Sequence, residues 1–512
     1  MIKQLLAVAI ALIASNHALA QAIRDGRYAL INRHSSLALD VVAGGTQNGA
    51  RLQQWGYAGS ANQQFDLVYQ GSGYYSIRAA HSGKALDVAG ISTEIGAVIQ
   101  QYTWANQANQ LWRIAATDSG YYTLTAKHSG QALDVWQRSR DNGGEVRQYT
   151  LNNASNQQWR FQSVSVPSGS APVVTGFASM PGANGIRTTT GGGTAAPSVV
   201  TSCAALQSAL TDSAARVIHI PANVTIDCRT APRTQEVCEV PCSGSGKSTY
   251  RVRVGAQTCT ELGSRTNATV NRLRNETRIQ AKSNKTLLGL GTGSRILGAN
   301  IVISDANNLI FRNFTLEDVN PHLVEAGGGI DMSDVTHVWI DHVRFRMISD
   351  GYADMSNAKN ITLSWNHFDG YNPNTCDNHF SYTMFADDST VTFHHNFFDR
   401  AAGRNPKLNK SQTRAHLYNN YWYDITYFAT NTGNGAQAKI EGNYYENASR
   451  PHWNESGLID ANLASNRYTG RSATDSYRHT GSRVFGDVTL YPYRLDNVDT
   501  LPNLLRSRTG PQ

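Results

Sequence analysis

Short runs of alternating apolar and polar residues, bounded by Gly, Ser and Asn, fill most of this chain and predict strands joined by turns. Gly26-Arg27-Tyr28-Ala29-Leu30-Ile31 and Tyr121-Tyr122-Thr123-Leu124-Thr125 are examples near the start. Later runs include Thr286–Leu290, Leu309–Phe314, His337–Val343, Ile361–Phe368, Val391–Phe398, Ala415–Trp422 and Lys439–Tyr445. The one candidate for a long amphipathic helix covers 203–214. The pattern predicts an all-β chain in two parts with different periodicities.

In the first part a unit of 47 residues is carried three times. Leu39-Asp40-Val41, Leu86-Asp87-Val88 and Leu133-Asp134-Val135 mark it, and so do Gln63-Gln64-Phe65, Gln110-Leu111-Trp112 and Gln157-Gln158-Trp159. Gln54, Gln101 and Gln148 each follow the Asp of their unit by 14 residues. A fixed period held over three copies is the mark of a repeat fold. Residues 22–162 thereby resemble the ricin-B-like β-trefoil of carbohydrate-binding modules. The resemblance implies that Phe65, Trp112 and Trp159 lie in the core. It also implies three sugar pockets: Asp40, Trp55, Asn62 and Gln63; Asp87, Tyr102, Asn109 and Gln110; Asp134, Tyr149, Asn156 and Gln157. A carboxylate and an amide can fork a pair of sugar hydroxyls while an aromatic face takes the C–H side of the ring. The competing reading is that these polar residues only brace turns.

Residues 163–172 are a Ser/Pro/Gly linker. The second part, 173–512, has a different repeat: an Asn, or Asp341, stands near the end of successive strands, at 341, 366, 396, 420 and 443. Asn tolerates left-handed backbone at bends, and stacked amides can bond one to the next. A β-sandwich would also give frequent short strands, but this repeated phase favours a right-handed parallel β-helix.

Residues 1–20 carry Lys3, an apolar run from Leu5 to Ala14 and Ala18-Leu19-Ala20, a signal peptide by pattern. Export, a secreted protein and no membrane span are expected. Six cysteines in an exported chain read as disulfides. Cys238-x-x-x-Cys242 offers half a zinc site, but no His lies close by with finger-like spacing. Five of the six fall within 203–259, so local staples are expected there, with Cys376 free or paired across the fold. The net charge of +7 suits a polyanionic partner. There is no concentrated Lys/Arg block, so nucleic acid is not expected, and a monomer is.

Two motifs carry the chemistry: Val338-Trp339-Ile340-Asp341-His342 and Gly403-Arg404-Asn405-Pro406-Lys407, with Asp350 and Asp354 between them. Together they resemble the signature of the pectate and pectin lyases, the first polysaccharide lyase family, over roughly 174–510. The resemblance implies β-elimination on a pectic polysaccharide, polygalacturonate foremost, yielding 4,5-unsaturated products, with a second glycan held by the trefoil. It implies Ca2+ held by Asp350 and Asp354, Arg404 as the catalytic residue, and Lys407 with Lys410 on the substrate carboxylate. Asp341 and His342 are expected to brace neighbouring turns.

The chain departs from the family. Gly328 stands where a further calcium-ligating Asp belongs; Glu325 and Asp331 are the candidate substitutes, but strand alternation puts Asp331 on the opposite face from Gly328. The segment 370–374 lacks the family's Lys. Pectin lyases carry Arg where this chain has Asp350, yet 375–379 and 403–407 look like theirs. The alternatives are a metal-independent pectin lyase, a hydrolase using the Asp387-Asp388 pair, and a non-catalytic glycan-binding protein.

Overall fold

The computed structural model describes residues 23, 26–71, 73–164, 174–244, 246–270, 276–485, 490–493 and 495–512. The expected signal peptide, and nearly all of the expected linker, lie outside the described residues. The chain divides into two compact units, Met1–Ser170 and Ala171–Gln512.

In the first unit each 47-residue repeat supplies four strands, and all twelve join one antiparallel sheet, closed as a β-trefoil. Leu39, Leu86 and Leu133 face inward, and Phe65, Trp112 and Trp159 are buried as expected. Both indole N–H groups are satisfied: Trp112 donates to the Leu86 carbonyl at 3.0 Å and Trp159 to the Leu133 carbonyl at 3.1 Å. The constant glutamines tie the repeats to one another. Gln54 donates to the carbonyls of Ser139 and Asp141 in the third repeat. Gln101 donates to Gly45 and Gln47 in the first, and Gln148 to Ser92 and Glu94 in the second.

The second unit is a coil of parallel strands, a β-helix. Strands Ile330–Asp341 and Ala353–Ser364 lie side by side in parallel register, Asp331 beside Asp354 and Ile340 beside Leu363. Each bends in mid-course, at Asp334 and His337 and at Asn357 and Asn360, which all have positive φ. A nine-stranded parallel sheet from Thr225–Asp227 to Arg467–Thr469 forms a further face. Inward columns run from turn to turn: Leu309, Val338, Ile361, Val391, Ala415 and Ala438 in one. Phe345, Phe368, Phe398, Trp422, Tyr445 and Tyr468 form another, with stacked rings 4.6 to 5.3 Å apart. The predicted helix is present as Cys203–Thr211, capped by the Ser202 side chain, which accepts from Ala205 N.

The asparagine phase is a hydrogen-bonded ladder inside the coil. Asn366 donates to Asn396, Asn396 to Asn420 and Asn420 to Asn443 from both backbone N and Nδ2, and the Asn443 backbone N donates to Asn466. All five are buried. Asp341 is not in it: Val343 occupies that place, donating its N–H to Asn366 Oδ1 at 2.9 Å, while Asp341 accepts from Ser364 two residues earlier.

All six cysteines are oxidised. Cys203–Cys228 and Cys238–Cys259 are local, and Cys376 closes across 134 residues onto Cys242. The last fastens the sheet of Arg233–Pro241, Ser248–Arg251 and Ser264–Val270 to the loop around 376.

Asn420 gives up bonds to Phe393 O, Tyr418 O and both ladder neighbours when truncated. We expect Asn420→Ala to cost about 2–4 kcal/mol, read by urea unfolding followed through tryptophan fluorescence. A cost below about 1 kcal/mol would show that the ladder does not hold the coil together.

Candidate functional site

One outward column crosses the β-helix through Val302, Asp331, Asp354, Phe385, Lys407, Asn431 and Trp453. Asp354 follows Asp331 by one turn, so their strands are about 4.8 Å apart. The Asp354 carboxylate accepts from the Phe385 N–H at 2.8 Å, and Asp350 accepts from Gly351 N at 2.9 Å. Burial together with the negative charges of Asp331 and Asp350 pushes the Asp354 carboxyl well above the usual carboxylate range, and Arg404 opposes this. A shallow cleft of about 160 Å³ lies over Asp331 and Asp354, with Arg278 and Phe385 also on its walls.

The expectation that Asp331 faces away from Gly328 is corrected. A Cβ at Gly328 would lie 2.7 Å from Asp331 Oδ1, and one at Gly351 would lie within 2.3–2.5 Å of the Asp354 carboxylate. Gly328 precedes the strand, which starts at Ile330, so period-two alternation does not reach it. The carboxylate three residues on folds back over the glycine on both turns. Asp331 therefore belongs with Asp350 and Asp354, and the signal was the recurrence of Gly-x-x-Asp at 328–331 and 351–354. An acidic trio of this kind presents only hard oxygen donors, which suit Ca2+.

Arg404 stands in left-handed backbone, φ 55°, at the corner that starts the next outward strand. Its carbonyl accepts from Thr383 Oγ1 and Met384 N, which fixes that corner. Its guanidinium lies 5.7 Å from the Phe385 ring centre. Lys407 is one turn beyond Phe385 and 3.7 Å from Glu455. Lys410 is placed differently from expectation: it is exposed at the far end of Lys407–Asn409 and paired with Asp387 at 2.7 Å and Asp388 at 3.2 Å. That pairing removes Lys410 from the Asp354–Lys407 column, and it occupies the acidic pair considered for hydrolysis.

Asp341 and His342 are far along the strand from Asp331 and brace the wall. Trp339 donates to Ser364, Ser364 to Asp341, and Arg312 donates to Asp341 at 2.8 Å. Burial opposes the charge on Asp341, but His342, Arg312 and Ser364 outweigh it and hold the carboxyl well below the usual range. A second cluster, His367, Asp369 and Asp399, has metal-like spacing. Arg344 and Arg400 already pair with its carboxylates, and His367 with Arg400 holds Asp399 down at about 2 despite burial.

In the trefoil the three aspartates sit at corresponding places. Asp40 accepts from Asn62 and Gln53, Asp87 from Asn109, Gln110 and Gln100, and Asp134 from Asn156 and Gln157. Trp55 and Tyr102 are exposed platforms and Tyr149 is half-buried. Gln63, Gln110 and Gln157 are corrected from sugar contacts to braces. They are fully buried, accept from Ala58, Ala105 and Asn152, and hold the loop behind each pocket. Gln53 and Gln100 were missed, although they immediately precede the constant Gln54 and Gln101. Burial raises all three aspartates, Asp134 to about 6.

A family profile described as "Ricin-type beta-trefoil lectin domain-like" matches residues 18–102 and 108–175, and one described as "Pectate lyase" matches 242–482. "Probable pectin lyase D" of Aspergillus niger is 30% identical over 335 residues, covering 63% of this chain and 89% of that protein. "Probable pectin lyase D" of Emericella nidulans is 36% identical over 198 residues, 37% of this chain, which spans about half, 51%, of that relative's length. A solved pectate lyase from Bacillus sp. N165 in complex with trigalacturonate shares 22% identity over 66% of this chain and 99% of its own, with a TM-score of 0.45.

Asp331→Asn should bring the Asp354 carboxyl down toward the ordinary range, because a like charge is removed, and Arg404→Ala should push it further up. Carbon-13 NMR titration of the carboxyl carbons checks both signs. An Asp354 titration indifferent to Asp331 would dissolve the trio.

Proposed function

The chain belongs to the pectate and pectin lyase family and carries a ricin-type β-trefoil lectin module, and we propose that it is a secreted lyase cleaving polygalacturonate by β-elimination. The observation that carries this reading is the acidic trio Asp331, Asp350 and Asp354 beside Arg404. Uronate C5 bears a weakly acidic hydrogen next to the C6 carboxylate. In the reaction the C5 proton leaves to a base, its electron pair forms the C4–C5 double bond, and the C4–O bond breaks with the oxygen departing on the neighbouring sugar.

Negative charge on the C6 carboxylate resists this step and must be offset. We propose Asp331, Asp350 and Asp354 as the residues that would hold Ca2+, which when bound supplies that offset. Carboxylates brought this close offer several oxygen donors to one hard cation, which would relieve the repulsion that raises Asp354. Arg404 presents a forked guanidinium suited to a carboxylate. It is also the proposed acceptor of the C5 proton, the role its place in the Gly403–Lys407 motif gives it by resemblance to the family. Lys407, on the same column, is the proposed anchor for the next uronate along the chain. The trefoil would keep the enzyme on a glycan surface, raising the local concentration of cleavable chain.

A second reading has support from the relatives, which are named pectin lyases. On a methyl-esterified uronate the carboxyl is already neutral, and no cation is needed. The two readings separate in one assay, ultraviolet absorbance of the unsaturated product on polygalacturonate and on highly methylated pectin, with Ca2+ or with EDTA. We expect calcium-dependent activity on polygalacturonate; full activity in EDTA, or a preference for the methylated substrate, would overturn the pectate reading.

In the same assay Arg404→Lys should lower kcat by about 10²–10³-fold. The raised Asp354 carboxyl sets the pH dependence. It takes up a proton at higher pH than an ordinary carboxylate, so the Ca2+ concentration for half-maximal activity should rise as pH falls through that raised value. Calcium titrations at a series of pH values read this directly.

A further inference from the structure

The threefold repeat provides an internal comparison, and the third sugar site departs from the other two. In every repeat the strand bearing the aspartate is followed by a short helical turn: Val42–Gly44, Ala89–Ile91 and Trp136–Arg138. The last two residues of each turn are in left-handed backbone, Ala43-Gly44, Gly90-Ile91 and Gln137-Arg138. The first two turns each place a glycine there, where it adopts that conformation without steric cost. The third has none and carries two long side chains instead. Backbone strain retained where glycine would relieve it points to side chains that are used.

Three replacements accompany it. Val42 and Ala89 become Trp136, Gly44 and Ile91 become Arg138, and Gln53 and Gln100 become Arg147. Arg147 does not take over the glutamine's bond to the aspartate. It donates to Glu145 at 2.8 Å and Gly96 O at 3.2 Å, and its guanidinium lies 5.0 Å from the Trp136 ring centre. Trp136 is thus propped from beneath. A Cβ at Gly96 would meet its ring at 3.0 Å, so the glycine makes room for it. Trp136 stands at 67° to Tyr149, ring centres 5.9 Å apart, and the two walls enclose a cavity of about 350 Å³ over Asp134 and Asn156, with Arg138 on the rim. The first two sites offer single exposed platforms, Trp55 and Tyr102.

We propose that the third site is a two-ring site for an acidic disaccharide unit: one pyranose on Tyr149 above Asp134, the next against Trp136 with its carboxylate at Arg138. It rests on the reading that the trefoil binds sugar. Two aromatic faces at an angle match two rings that turn about a glycosidic bond, and a guanidinium recognises a carboxylate. The first and second sites, with one face each and no cation in the turn, take a single ring.

The test uses the full chain carrying Trp55→Ala and Tyr102→Ala, which silences the exposed platforms without opening the core. Binding of galacturonate, digalacturonate and the neutral disaccharide galactobiose is measured by titration calorimetry in EDTA. The cleft contribution is removed by subtracting the same titrations on a version that also carries Tyr149→Ala. Digalacturonate should bind at least tenfold more tightly than galacturonate or galactobiose. Trp136→Val and Arg138→Gly import the first repeat's residues onto a backbone that accepts them there, so folding is preserved. Trp136→Val should abolish the advantage over galacturonate, and Arg138→Gly the advantage over galactobiose. Unchanged ratios in these variants, with Tyr149→Ala still removing binding, would overturn the two-ring proposal alone. No effect of Tyr149→Ala on any of the three sugars would overturn the sugar-binding reading together with it.

Discussion

The catalytic unit depends on one repeated interaction, the amide ladder from Asn366 to Asn466. Parallel coils have no hairpin to fix their register, and neighbouring turns could slip. A buried amide that must meet the next one permits a single register, because any slip leaves donors and acceptors orphaned in the interior. With the ladder set, each outward column is set as well. The turn from Asn366 to Asn396 takes 30 residues where later turns take 24 and 23. The surplus leaves the coil as the loop holding Cys376, and the stacking of Asp354, Phe385 and Lys407 continues undisturbed.

On this frame the acidic trio is a local conflict that the rest of the structure sustains. Gly328 and Gly351 give the carboxylates of Asp331 and Asp354 somewhere to fold, and the well-packed columns beneath keep them from spreading apart. Other carboxylates of this unit are paired with cations in its wall. Asp341 has Arg312 and His342, and Asp369 has Arg344. Among these, the trio is where carboxylates crowd one another enough to push one of them upward. A carboxyl raised in this way by its neighbours marks the cluster as a candidate functional site.

Much of this was legible in the sequence. The three 47-residue units and the asparagine phase are periodic, and periodicity survives without coordinates. Phe65, Trp112 and Trp159 follow from the same repeat. What was misread depended on direction. Asp331 was assigned to the wrong face because alternation was extended past the end of its strand. Gln63, Gln110 and Gln157 are adjacent to the pocket asparagines, but the turn they end aims them inward. Lys410 itself stands in left-handed backbone, φ 63°, just past the strand Lys407–Asn409, so its side chain leaves the cleft for Asp387 and Asp388. Asp341 shares the spacing of the ladder only approximately, and two residues suffice to change its partner. The partner of Cys376 lies 134 residues away, and no local pattern records it.

The glutamines of the trefoil close a cycle: the first repeat reaches into the third, the second into the first, and the third into the second. A cycle has no privileged starting point. The chain's own order of first, second and third is therefore an accident of where it is cut, and a rearranged chain beginning at another repeat would satisfy the same six carbonyls. Removing any one repeat, by contrast, strands one glutamine and leaves one loop without its clasp. The module is consequently indivisible as a set while its members remain free to diverge, which is the freedom that the turn at Trp136 has used.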